Sequence, residues 1–244
     1  MSKMWVSHLS VANWPEPLQW KSYFEQAQQL LGGPLTHLDD NDPVRRKVTT
    51  LDKAGAFMCA FKEQEQSRWV FGRFKTLGIE LSIDRFRPGS HQFANALTWF
   101  LPVSFVEKLE NRQRLKSLFD LGNRTFKPFY AYSDDVAQIA SKNKPSGAVD
   151  IQAELLGVFW ITYFNAAYVA FFGKEKFQKL PGVEQSSDGS ITIVLGESPK
   201  SVANDLREQA AATLGKQSFV NAKDILGKRP GRFALTFQQL LDEC

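Results

Sequence analysis

The chain has few of the residues that build metal centres, and its 244 residues include 2 cysteines and 3 histidines. Cys59 and Cys244 lack the short spacing of a zinc site. The histidines, His8, His37 and His91, are equally isolated from one another. We therefore expect no metal ion and no other cofactor. The scarcity of cysteine favours a reducing compartment over a disulfide-stabilised, secreted protein.

Long hydrophobic runs are also missing. The first eight residues contain no apolar stretch of signal-peptide length. The longest apolar segment, residues 155–172, is interrupted by Gly157, Thr162 and Asn165 and falls short of a membrane span. The sequence therefore predicts a cytoplasmic protein that does not bind a membrane.

The net charge of the chain is too small to indicate a strongly acidic or basic binding partner. The chain carries 30 Lys and Arg against 26 Asp and Glu, which gives a formal net charge of +4. Basic residues mostly alternate with acidic ones, as in residues 174–176. This dilution predicts no direct contact with nucleic acid, because such proteins concentrate their basic residues on one surface.

The apolar periodicity predicts an α+β fold in which antiparallel sheets pack against helices. Predicted helices cover residues 20–31, 105–121, 167–180 and 201–214, and Gly122 is expected to end the second of them. Predicted strands cover residues 54–61, 68–74, 78–86, 96–101 and 126–132, and residues 183–195 resemble a hairpin that turns at Asp188 and Gly189. Residues 36–43 are predicted to be a polar loop, and residues 148–164 suit a strand or a helix equally.

The same order of elements in both halves suggests two related lobes. Residues 143–147 are polar and turn-forming, which makes them the best candidate for a boundary. The predicted lobes are residues 1–145 and residues 146–244, each of the α+β type. One continuous domain is the alternative.

Two acidic groups are candidate contact residues for a protein partner. Asp39, Asp40 and Asp42 lie in the polar loop, and Asp134 and Asp135 precede a short predicted helix. Each group also has a structural explanation. The first suits a turn rich in Asx residues, and the second suits the cap of the helix that follows.

No recognisable catalytic motif is present. The sequence contains no nucleophile elbow, no phosphate-binding glycine loop and no dinucleotide fingerprint. Asp150 and Glu154 are neighbouring carboxylates, but no Glu-x-Lys pair follows them to complete a nuclease-like site. We therefore expect a protein that is not an enzyme, with a hydrolase that uses Asp150 or Glu154 as an alternative.

The most distinctive segment, residues 157–173, has the sequence GVFWITYFNAAYVAFFG. This aromatic-rich strand, followed by Tyr-Phe-Asn-x-x-Tyr-Val-x-Phe-Phe-Gly, resembles the immunity-protein 52 family of bacterial polymorphic toxin systems. The similarity continues through residues 176–181 and 188–189, and it includes the aromatic-then-proline residues 99–102. Tight packing at a corner between strand and helix explains such a motif structurally. Its residues are Trp160, Tyr163, Phe164, Tyr168, Phe171, Phe172 and Gly173.

The resemblance implies an immunity protein that binds and neutralises a type VI secreted toxin, typically a restriction-endonuclease-like DNase, by occluding or distorting its active site. Inhibitors of nucleases are often acidic, whereas this chain has a net charge of +4. Either a local acidic patch faces the toxin, or binding avoids the DNA groove altogether. We prefer the acidic patch, and residues 39–42 are the first choice for it. An adaptor that loads an effector onto the secretion apparatus is a second possibility, besides the hydrolase.

Overall fold

A computed structural model of the chain describes residues 3–60, 66–75, 78–86, 94–142, 150–220 and 233–242. They form antiparallel strands packed against helices, so the predicted α+β fold is confirmed. The chain divides into a first unit, Lys3–Pro128, and a second unit that begins at Phe129. No helix within the described ranges is long and apolar enough to cross a membrane.

The described part of the first unit contains five strands and three α-helices. In chain order they are β1 (Lys3–Ser10), α1 (Pro17–Leu31), β2 (Leu35–Asp39), α2 (Leu51–Cys59), β3 (Ser67–Phe74), β4 (Glu80–Phe86), β5 (Asn95–Pro102) and α3 (Leu109–Phe126). The strands lie in the order β2-β3-β4-β5-β1, and each neighbouring pair is antiparallel.

Strand β4 shows the alternation that its sequence predicts. Leu81 and Ile83 are buried, whereas Glu80, Ser82 and Asp84 are half-buried. Successive side chains of a strand point to opposite faces, so the aligned strands give the sheet an inner face and an outer face. The inner face is apolar and packs against the helices.

Large aromatic side chains join the inner face to α1. Trp99 of β5 donates an indole hydrogen bond to Tyr23 Oη of α1 at 2.8 Å, and Trp20 contacts Tyr23 edge to face. All three are buried. The helix begins at Pro17, because proline suits a first turn whose N–H groups lack helical partners. It ends at Gly32, whose φ of +69° favours glycine.

The strand predicted over residues 54–61 is wrong, because this segment lies largely within helix α2. The Thr50 side chain caps the helix by accepting a hydrogen bond from the Lys53 N–H. Gly55 allows α2 to approach α1, since an added Cβ would lie 2.3 Å from the Pro17 carbonyl oxygen. A short apolar run does not distinguish a buried strand from a buried helix, which explains the error.

Helix α3 continues through Gly122, so the prediction that this glycine ends the helix is also wrong. The helix is capped by Lys127, which adopts the left-handed conformation with a φ of +46°. Gly122 makes room for His8 on the inner face of β1, because an added Cβ would lie 2.3 Å from His8 Nε2. In that space the His8 Nε2–H donates a hydrogen bond of 3.0 Å to the Phe119 carbonyl oxygen.

The described part of the second unit contains four strands and five α-helices. They are β6 (Tyr130–Asp135), α4 (Val136–Ala140), β7 (Ile161–Phe164), α5 (Ala166–Phe172), α6 (Lys174–Phe177), β8 (Val183–Gln185), β9 (Ile191–Val194), α7 (Asn204–Gly215) and α8 (Phe237–Asp242). The antiparallel strand order is β6-β7-β9-β8. The predicted boundary, residues 143–147, lies outside the described residues. Strand β6 precedes this segment in the chain, but it pairs with β7, which follows the segment.

Strands β8 and β9 form the predicted hairpin, and Gly189 in its turn has a φ of +85°. The predicted helix over residues 201–214 corresponds to α7. The predicted helix over residues 167–180 is instead divided into α5 and α6 by Gly173. The φ of Gly173 is +91°, a conformation that L side chains rarely adopt, so the helix cannot pass through it regularly.

A buried ion pair joins β6 to α7. The Nε and Nη2 atoms of Arg207 donate hydrogen bonds of 2.8 Å and 2.9 Å to the two carboxylate oxygens of Asp134. Asp134 also accepts a bond from the Trp160 N–H, and Arg207 donates to the carbonyl oxygens of Val202 and Pro199. Burial raises the pKa of Asp134, and Arg207 and the backbone N–H groups oppose this rise.

The buried imidazole of His8 predicts acid sensitivity. Burial lowers the pKa of His8 from 6.5 to about 4, so the folded state favours the neutral ring. The stability linked to this ring is complete above pH 6.5 and is lost as the pH falls through about 4. This difference in pKa corresponds to about 3 kcal/mol of unfolding free energy.

Urea unfolding of His8→Gln as a function of pH tests this prediction. Glutamine keeps a donor for the Phe119 carbonyl oxygen but does not titrate, so the variant should lose this part of the pH dependence. Ser7→Ala, which removes a hydrogen bond in the same strand but no titratable group, should keep the wild-type pH dependence. Identical profiles for wild type and His8→Gln would contradict the prediction.

The buried ion pair predicts that substitutions of Asp134 and Arg207 have strongly non-additive effects on the free energy of unfolding. Asp134→Leu or Arg207→Met alone leaves one buried charge unpaired, and each should cost about 3–5 kcal/mol of unfolding free energy. The double variant should cost much less than the sum of the two, as a double-mutant cycle in urea would show. Lys142→Met, which removes the ion pair with the exposed Glu208, is the control and should cost less than about 1 kcal/mol. Additive single effects would contradict the prediction.

Candidate partner-binding surface

Asp39 closes a hairpin turn beside β2, a strand that the sequence analysis assigned to a loop. After β2 the chain reverses, and the Leu38 N–H bonds to the Arg46 carbonyl oxygen. The Asp39 carboxylate accepts hydrogen bonds from the N–H groups of Arg45 and Arg46 at 3.0 Å and 2.9 Å. These backbone bonds lower the pKa of Asp39 to about 2. Asp39 is buried and organises the turn, so it does not present its carboxylate to a partner.

The rest of this hairpin is not a concentrated acidic patch. Asp40 lies 3.8 Å from the guanidinium of Arg68, and the exposed Asp42 lies 4.0 Å from that of Arg73. Three basic residues follow within residues 45–47, and they balance the three aspartates of residues 39–42. Asp40 and Asp42 are therefore accessible, but their charges are compensated locally.

The second acidic group has a structural role. Asp135 accepts a hydrogen bond from the Ala137 N–H at 2.8 Å and caps α4, so the capping prediction is confirmed. Asp134 has no exposed surface. It is committed to Arg207 and cannot contact a partner in this fold.

The aromatic motif forms much of the core of the second unit. Five of its aromatic side chains are buried, namely Trp160, Tyr163, Phe164, Tyr168 and Phe172. Phe164 packs against Tyr168 and Phe172, with centroid separations of 6.3 Å and 5.6 Å. Phe171 differs from the others, because 44% of its surface is exposed. The motif therefore serves to pack the core and does not form a contact surface. Phe171 is the exception among its aromatic residues.

The two carboxylates of the hydrolase alternative lie in different surroundings. Asp150 is exposed and accepts a hydrogen bond from the Gln152 N–H at 3.0 Å, as in an ordinary Asx turn. Glu154 is buried. Among the residues that the structure describes, no three His, Cys, Asp or Glu side chains are grouped so that they could hold a metal ion.

The outer face of the first sheet presents side chains to solvent across four strands. We define the outer face by three rows that run through β1, β5, β4 and β3 in register. The rows are Trp5, Phe100, Glu80 and Arg73, then Ser7, Thr98, Ser82 and Phe71, and finally Leu9, Ala96, Asp84 and Trp69. Most of these side chains are half-buried, and Trp69 is 58% exposed.

Sequence reasoning missed this surface because it assigned the aromatic residues to the interior. The missed signal is the alternation in residues 68–74, which places Trp69 and Phe71 on the same face as the charged Arg73. An aromatic side chain at such a position is a frequent anchor of protein interfaces.

A cleft of about 270 Å³ opens in the outer face. Phe71 and Phe100 line it together with Val44, which the hairpin after β2 contributes. Lys3 and Arg73 are also among its lining residues, so the apolar floor has a charged rim. Such a combination suits a partner that buries apolar groups and satisfies polar groups around them.

The charges of the rim pair with one another. Glu80 lies 2.8 Å from the ammonium of Lys3 and 3.9 Å from the guanidinium of Arg73. Arg73 also reaches Asp42 at 4.0 Å. The four residues therefore form a row of alternating positive and negative charges, in which each charge lies near at least one opposite charge.

Asp84 differs from these charged residues. It is half-buried, and its neighbours in register are Trp69 of β3 and Ala96 of β5. Burial raises the pKa of Asp84 above its ordinary value. No ion pair or hydrogen bond joins its side chain to another residue of the described ranges.

A second cleft, of about 410 Å³, lies in the second unit. Lys142, Arg207 and Glu208 are among its lining residues. Arg207 is committed to Asp134, and Lys142 pairs with Glu208. These charges are already satisfied, and we therefore favour the outer face as the candidate partner-binding surface.

The sequence matches no known family profile and no curated protein. Membership of the immunity-protein 52 family therefore stays a prediction. In structure, the chain is similar to the Pseudomonas aeruginosa T6SS protein PA0821, with a TM-score of 0.63. The alignment covers 98% of this chain and 80% of that chain, at 14% sequence identity. At this level of identity, the likeness shows that the two chains share a fold.

Proposed function

We propose that this chain is an immunity protein that binds a type VI secreted toxin and neutralises it without catalysis of its own. The outer face is the observation that carries the proposal, because it offers the exposed Trp69 and several half-buried aromatic side chains beside an apolar cleft. The likeness to a type VI secretion (T6SS) protein supports the association with secretion. The family resemblance supports the immunity role and favours a nuclease as the toxin.

The size of the outer face is compatible with part of a stable interface. Strands lie about 4.8 Å apart and alternate residues about 6.8 Å apart, so each outward residue covers roughly 33 Å². The twelve positions of the three rows then cover on the order of 400 Å². A standard interface takes about 800 Å² from each partner. The hairpin beside the cleft is the natural source of further contact area.

Growth rescue tests the proposed function. Any type VI effector gene found next to the gene of this chain is the first candidate for the toxin. Bacteria that express that effector should stop growing, and co-expression of this chain should restore growth. The two proteins should also co-purify, because neutralisation depends on a stable complex. An adaptor would co-purify without rescuing growth. Absence of both rescue and co-purification would contradict binding in either role.

Trp69→Ala tests whether the outer face forms the interface. Truncation of an exposed aromatic anchor of an interface should raise the Kd for a catalytically inactive form of that effector more than tenfold. Leu109→Ala is the matched control, since Leu109 is 64% exposed in the same unit but lies on α3. Isothermal titration calorimetry measures both variants, and circular dichroism checks that they are folded. Equal Kd values for the two variants would contradict this location.

A further inference from the structure

Among the residues that the structure describes, one charged side chain of the outer face has no ion-pair partner. Five charged side chains lie on the outer face or at its cleft, namely Lys3, Asp42, Arg73, Glu80 and Asp84. The first four neutralise one another through the contacts described above. Asp84 forms no such contact with any described residue. A carboxylate that is half-buried without a partner is costly, and a cation supplied from outside would remove that cost.

The surroundings of Asp84 are suited to a cation that also has an apolar or planar surface. Trp69 lies opposite Asp84 in the antiparallel register, so their Cβ atoms are about 5 Å apart on the same face. The indole of Trp69 is 58% exposed, and no other aromatic ring of the described residues stacks on it. On the other side of Asp84, its neighbour in register is Ala96, whose side chain is only a methyl group.

We propose that Trp69 and Asp84 together bind a basic side chain of the protein partner, which stacks on the indole and pairs with the carboxylate. Arginine fits better than lysine, because its planar guanidinium can stack on an aromatic ring while donating hydrogen bonds to a carboxylate. This inference rests on the proposed function and names the chemistry of the toxin's contact.

A contact of this kind explains how a chain with a net positive charge binds a partner that also has a basic surface. A nuclease places Lys and Arg side chains where it contacts DNA phosphates. An immunity protein that captures one of these side chains needs a single well-placed carboxylate rather than an overall negative charge. A nucleic acid is the less suitable occupant of the same site. Trp69 could stack on a base, but Asp84 would repel the adjoining phosphates.

The first test measures binding of the inactive, full-length effector by calorimetry. Asp84→Asn keeps the shape of the side chain and removes its charge, and it should raise the Kd at least tenfold. Asp52→Asn, which changes an exposed carboxylate of α2 that is paired with Lys21 and lies outside the outer face, should raise the Kd less than threefold. An unchanged Kd for Asp84→Asn would overturn the inference and leave the proposed function standing. Failure of the wild type to bind or rescue would overturn the proposed function instead.

The second test needs no toxin and keeps the inference falsifiable on its own. Arginine amide is titrated into the full chain at constant ionic strength, and the indole N–H resonance of Trp69 is followed by NMR. The resonance should shift saturably, the shift should fall at least threefold in Asp84→Asn, and glutamine amide should produce no shift. An equal shift in Asp84→Asn, no shift in the wild type, or a stronger response to a single-stranded oligonucleotide would overturn the inference.

Discussion

In the first unit, the side chains of β1, β3, β4 and β5 alternate between a face that helices cover and a face that they leave open. Because these four strands are paired in register, side chains on the same face form rows across the sheet. One row of the inner face consists of Val6, Trp99, Leu81 and Gly72. A slip of one residue in any strand would move its apolar set to the outer face. The hydrogen bond between Trp99 and Tyr23 adds a specific contact that only one register satisfies.

The alternating strand at residues 78–86 and the hairpin at Asp188 are local features, and the sequence predicts both correctly. Residues 54–61 have no decisive periodicity, and their helix depends on Thr50 and on packing against α1. The burial of Asp134 could not be predicted, because its partner Arg207 is 73 residues away. The outer face is an intermediate case. The alternation around Trp69 is visible in the sequence, but the register that joins it to Asp84 is a property of the folded sheet.

The groups of residues that the sequence singles out have physical roles other than forming the outer face. The aromatic motif packs in the core of the second unit, which explains why most of it does not mark a binding site. The acidic hairpin supplies one wall of the cleft, but its charges are balanced by the basic residues 45–47. Under the proposed function, recognition by a protein of net charge +4 depends on local placement of charge, as electrostatic complementarity across an interface generally does.

The carboxylate of Asp39 has an evolutionary consequence. Because it holds the N–H groups of Arg45 and Arg46 from inside the turn, the backbone of the hairpin does not rely on the exposed side chain of Asp42. That position can exchange one residue type for another at little expense to folding. A wall of the cleft can thus diversify while its scaffold stays constant, which is the property that would let chains with the proposed function acquire new targets without a change of fold.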